Sequence, residues 1–159
     1  PALIVTVRSA SGKGTPMLKL LEAFTVYIQM TTGMPALERM PVVQHWTVCA
    51  IMGEPENCDT AGTHIGAMYV IPTNTIVVPD TFDAGDVKDA SILLHELVHA
   101  QQQNDPRWFA EACITLELQA YRVQFLWLEN VANVNPTDVI GWERPMDGAI
   151  ASCAGKPGP

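Results

Sequence analysis

The sequence contains no apolar run near the roughly 20 residues that a helical membrane span requires, so no membrane span is expected. Basic residues are scarce: nine Lys and Arg stand against 17 Asp and Glu, for a formal net charge of −8. Proteins that bind nucleic acid gather positive charge to neutralise phosphate, so nucleic acid is not an expected partner. The acidity itself reads as solubility. Cys-x-x-Cys is absent, so no cysteine zinc site is expected. There is no internal repeat and no visible signal peptide, and the chain begins at Pro1 rather than Met, as a removed leader would leave it. Charged residues make up only 16% of 159, against 48% hydrophobic. That composition suits a globular chain with one sizeable core, read as a single domain over residues 1–159, with an arm at 1–14 and a tail at 151–159.

What is present centres on Ser91-Ile92-Leu93-Leu94-His95-Glu96-Leu97-Val98-His99-Ala100-Gln101. It contains His-Glu-x-x-His. Residues four apart on an α-helix lie on one face, one turn apart, so His95 and His99 can grip one metal ion from the same side. Glu96 sits about 100° further round the helix, placed to reach a water bound to that ion. The surrounding Ile92, Leu93, Leu94, Leu97, Val98 and Ala100 predict a buried helix. Two histidines and a glutamate are costly there without a partner, and a metal is the cheapest one. The arrangement points to a zinc hydrolase: two nitrogen ligands, a carboxylate base and an open position for water. The helix is predicted over Val87–Gln103, with Asp86 or Asp89 as N-cap and Asn104-Asp105-Pro106 as its stop.

A second long helix is predicted over Trp108–Asn130. At 100° per residue, Phe109, Ala112, Cys113, Leu116, Ala120, Val123 and Trp127 share one apolar face. Ile114, Leu118, Tyr121 and Phe125 form a second stripe, and Glu111, Thr115, Gln119, Arg122 and Glu129 a polar one. Glu117 falls between the two apolar stripes. A carboxylate buried there needs a counter-charge, which a metal supplies, so Glu117 is preferred to Glu111 as third ligand.

The rest of the chain reads as scaffold. A helix is expected over Pro16–Thr31, with Leu18, Leu21, Phe24, Val26 and Ile28 as its apolar stripe and Gly33 past its end. Residues 3–7 alternate like an edge strand. Pro41–Trp46 predicts a short strand entering the core, with His45 structural or exposed. Thr47–Met52 continues as strand or short helix, and Gly53–Gly62 as loop. His64–Ile71 and Thr75–Pro79 form a hairpin about Pro72-Thr73-Asn74. Thr137–Gly141 is a turn of helix. The four cysteines permit three disulfide pairings. Cys49 and Cys58 flank a loop that a bridge closes easily, and Cys113 with Cys153 then ties the tail to the long helix. Two disulfides favour a secreted or periplasmic protein; four reduced thiols would place it in the cytoplasm.

With His95, Glu96, His99 and Glu117 in hand, the chain resembles the gluzincins, zinc metallopeptidases with His-Glu-x-x-His on one helix and a glutamate ligand on the next. Leu94–Gln102 followed by Glu117–Gln124 is similar to the small single-domain bacterial metallopeptidases of that clan, and the likeness covers roughly Gly66–Gln124. It implies an α+β, zincin-like fold: a small antiparallel or mixed sheet with a hairpin, packed on the motif helix and the long helix after it. It departs from the larger gluzincins in showing no second substrate-binding domain and no histidine placed like their transition-state donor. The expected activity is zinc-dependent hydrolysis of peptide bonds, with Zn2+ held by His95, His99 and Glu117 and Glu96 as general base. Tyr69 and Tyr121 are candidate oxyanion donors, with His64 ranked behind them and Tyr121 also read as core packing. A peptide or protein substrate could pair with the free edge of the Ile65–Ile71 strand. Two other functions fit the same residues: a zinc amidase acting on cell-wall peptide, and a weakly catalytic zinc-stabilised binding or toxin-like module.

Overall fold

The computed structural model describes residues 15–47, 50, 66–109 and 111–154. The expected arm at 1–14, most of the Thr47–Gly62 stretch, His64, Cys49, Cys58 and the last five residues lie outside them. The fold is α+β, with a mixed three-stranded sheet of order β1-β3-β2.

Helix α1 (Thr15–Thr32) begins next to Pro16 and stops at Gly33, whose φ of 69° sets the left-handed turn and whose N–H donates to the Gln29 carbonyl. It buries Leu21, Phe24 and Ile28. Leu18 and Val26 were expected in the same stripe but face outward, 47% and 54% exposed. At 100° per residue Leu18 lies about 90° and Val26 about 170° round the helix from the centre of the face formed by Leu21, Phe24 and Ile28.

Strand β1 (Val42–Trp46) pairs in parallel with β3 (Thr75–Pro79), and β2 (Met68–Val70) pairs with β3 antiparallel. All five residues of β3 are buried, as befits the middle strand. The expectation that Pro41–Trp46 enters the core fails. β1 is an outer strand, only Val43 packs on the core, and His45 is exposed with its ring edge-on to Phe82. The hairpin is present but short: β2 begins at Met68, and Ile71–Thr73 close a single 3-10 turn that ends on left-handed Asn74.

Helix α2 (Val87–Gln103) has the predicted bounds. Asp86 caps it, accepting from the backbone N–H of Lys88 and of Asp89. Its buried Leu93, Leu94, Leu97, Val98 and Ala100 meet Ile76 and Val78 of β3, Phe24 and Ile28 of α1, and Ala120 and Val123 of the next helix. Each such Leu or Val contributes about 1.5–3 kcal/mol on burial, so this helix is the axis of the core.

Helix α3 (Cys113–Asn130) starts five residues later than predicted. Asp105 accepts from the Arg107 backbone N–H and closes Pro106–Trp108 into one 3-10 turn, after which the chain bends before α3. Phe109, Glu111 and Ala112 are therefore not helical, and the angular face assigned to them does not exist. Phe109 is 65% exposed. α4 (Pro136–Ile140) is the expected turn of helix, capped by Asn135 and ended by Gly141 at φ 79°. The tail reading fails over Ala151–Cys153, which belong to a helix the sequence did not announce, α5 (Pro145–Cys153). α5 packs along α3 and is joined to it by a Cys113–Cys153 disulfide, as expected for that pair. Among the described residues no helix is long and apolar enough to cross a membrane.

Candidate metal centre

His95 and His99 project from the buried middle of α2, and Glu117 from the first turns of α3, which crosses beside it. Glu117 Oε2 stands 3.2 Å from His95 Nε2 and 3.6 Å from His99 Nε2, and the two Nε2 atoms are 3.2 Å apart. A four-coordinate ion with bonds of about 2.0–2.1 Å has donor–donor edges of about 3.3 Å, close to this triangle.

The chemistry of the three atoms tests the fit further. Gln102 Nε2 donates to the Leu116 carbonyl, which can only accept. Gln102 Oε1 therefore faces His99 Nδ1 at 2.8 Å, and that nitrogen must hold the proton. Ser91 Oγ donates to the Lys88 carbonyl and accepts from Gln124 Nε2. Gln124 Oε1 then faces His95 Nδ1 at 3.1 Å and fixes the same tautomer. Both neutral rings thus present Nε2 lone pairs to a point they share with a carboxylate oxygen. With both rings neutral these three acceptors repel one another, and a cation among them, a metal ion or a proton on an Nε2, relieves this. His95, His99 and Glu117 form a group that could hold a metal ion.

The titrations point the same way. Burial pushes the Glu117 carboxyl up, but hydrogen bonds from His95 and His99 overcome it and hold the group well below the usual carboxylate range. Burial lowers His99, while the hydrogen bond to Glu117 and the nearby Glu96 charge raise it past its ordinary value. The pocket favours positive charge.

Glu96 lines the same open cleft, of about 960 Å³, and Glu96 Oε2 accepts from the backbone N–H of Tyr69 at 2.8 Å. The edge strand β2 thus fixes the carboxylate predicted as base. The Tyr69 hydroxyl donates instead to Asn74 Oδ1 at 3.0 Å. Tyr121 stands at the cleft wall, its ring 4.5 Å from that of His95 and its hydroxyl 3.0 Å from Ser152 Oγ. Burial raises its pKa. Glu111, the rejected alternative to Glu117, is exposed and precedes α3.

The buried Gln102 and Gln124 were not singled out in the sequence. Gln102 follows His99 by three residues and Gln124 follows Glu117 by seven, both helical same-face spacings that could have flagged them.

The family described as a domain of unknown function, DUF6647, matches residues 13–142. No curated protein and no solved structure matches the chain.

Proposed function

The chain belongs to the DUF6647 family, and we propose that it is a zinc-dependent metallopeptidase that hydrolyses peptide bonds with Glu96 as general base. The observation behind this reading is the convergence of three acceptor atoms, two of them on rings oriented by buried glutamines, beside a second, separately held carboxylate. Two imidazoles and one carboxylate are a donor set that suits zinc. Bound there, zinc would supply a Lewis acid and draw the pKa of a water towards ~7.

The chain's own residues would do the rest. The Tyr69 N–H holds Glu96 Oε2, so Glu96 Oε1 is the oxygen to take the proton and later deliver it to the leaving amine. Tyr121 is the candidate second donor to the oxyanion, its hydroxyl backed by Ser152. β2 is an outer strand whose Met68 and Tyr69 line the cleft, so an extended peptide would lie along it. The Cys113–Cys153 disulfide favours a secreted or periplasmic setting.

Glu96→Gln tests the reading, assayed against folded proteins, peptides and cell-wall peptide. Turnover of a peptide substrate should fall by about 10²–10⁴-fold while metal content and fold persist. A native protein that cleaves none of these, or a variant as active as native, contradicts it.

A further inference from the structure

We propose that α5 is the positioning element of the metal centre, so that its disulfide to α3 sets how tightly the metal is held. The inference rests on reading His95, His99 and Glu117 as a metal site. Along α3, Glu117 has Cys113 one turn before it and Tyr121 one turn after it, on the face that lines the cleft. Both neighbours are fastened to consecutive residues of α5. Cys113 is bonded to Cys153, and the Tyr121 hydroxyl meets Ser152 Oγ at 3.0 Å.

A third contact completes the brace. Gly148 of α5 lies against the Tyr121 ring so closely that a Cβ there would come within 2.7 Å of two ring atoms. No larger residue fits without moving the ring. The ring in turn stands edge-on to His95 at 4.5 Å. One short helix therefore bears on the ligand from α3 and on one of the two ligands from α2. α5 lies C-terminal to the segment matched by the family.

The three donors are useful only while their spacings of 3.2–3.6 Å persist, and groups that orient metal ligands typically change affinity by about 10–100-fold when removed. Cutting the Cys113–Cys153 bond frees the start of α3 one turn from Glu117. A phosphine reductant does this in balance. Phosphorus attacks one sulfur, the other leaves as thiolate, and water releases the first thiol as the phosphine becomes its oxide. The disulfide gains two electrons and the phosphine loses two.

The test is the zinc affinity of the full chain by competition with a chromophoric chelator, with far-UV circular dichroism as the check on folding. Cys113→Ser with Cys153→Ser, Ser152→Ala and Gly148→Ala are each expected to bind zinc about 10–100-fold more weakly while remaining helical. Ser152→Thr keeps the hydroxyl and should restore native affinity. The serine pair avoids creating new thiol ligands beside the site. If the serine pair does not fold, Ser152→Ala against Ser152→Thr decides alone. Native zinc affinity in every folded variant, even with a lower Tm, overturns the proposal and leaves α5 a stability staple. A native chain that binds no zinc overturns the metal reading itself, a distinct result.

Discussion

At the scale of single residues, the glutamines decide what the histidines can do. Each amide is held at its nitrogen end by an acceptor, so each presents oxygen to an imidazole Nδ1–H. Replacing Gln124 by Leu removes that anchor and leaves buried Ser91 without its donor. Zinc affinity should fall by about 10–100-fold, read by chelator competition. Gln124→Glu keeps the acceptor to Nδ1, makes the ring more electron-rich and should hold metal at least as well; equal loss in both variants would show that accepting from His95 Nδ1 is not what sustains the affinity. These roles were not legible beforehand. His95, Glu96 and His99 announce themselves by spacing, and Glu117 by sitting between apolar stripes. A glutamine on a helix face looks the same whether it meets water or an imidazole, and only the crossing of α2 by α3 tells them apart.

At the scale of elements, legibility followed the strength of local signals. α2 could be bounded from sequence because a capping aspartate opens it and Asn104-Asp105-Pro106 closes it. The start of α3 could not, since Trp108 and Phe109 continue the apolar spacing while Asp105 diverts the chain into a 3-10 turn. α5 escaped because Pro145-Met146-Asp147-Gly148-Ala149-Ile150-Ala151-Ser152-Cys153 is short and rich in small residues. Its glycine reads as a breaker, yet serves close packing on Tyr121. β1 misled by composition: its Val and Trp residues suggest burial, but an outer strand of a small sheet has little to pack against. The cap of α2 gives a prediction at this scale. Asp86→Ala should cost about 0.5–2 kcal/mol in urea unfolding, because two backbone N–H groups lose their acceptor. Zinc affinity should be unchanged, since His95 lies about 13 Å further along the helix. A large loss of affinity would mean that α2 is less rigid than its buried packing implies.

At the scale of the whole molecule, the proposed metal site would couple metal, protons and stability. The folded state raises His99 above its ordinary value near 6.5, so the stability it contributes to the metal-free protein is complete below that pH and fades as pH rises through the raised value. Glu117 is depressed, so its contribution is present above the ordinary carboxylate range near 4.3 and is lost as pH falls towards its depressed value. Zinc bound as proposed would compete with the His99 proton. Its stabilising effect should therefore grow from pH 5.5 to pH 8, and binding should release protons. Calorimetric Tm values with and without zinc across that range test this; a zinc-induced shift that is constant or larger in acid would contradict it. The apolar core that joins α1, β3 and α2 through Phe24, Ile28, Ile76, Val78, Leu93 and Leu97 includes none of the three ligands, so protein stripped of metal should lose the site's share of stability and keep its helical content.

The central claim is that His95, His99 and Glu117 together hold a metal, and elemental analysis tests it most directly. Native protein and Glu117→Ala, both equilibrated with zinc and freed of excess, would be compared side by side. One zinc per native chain and a marked loss in the variant are expected. A native chain without metal, or a variant that retains a full equivalent, would contradict it.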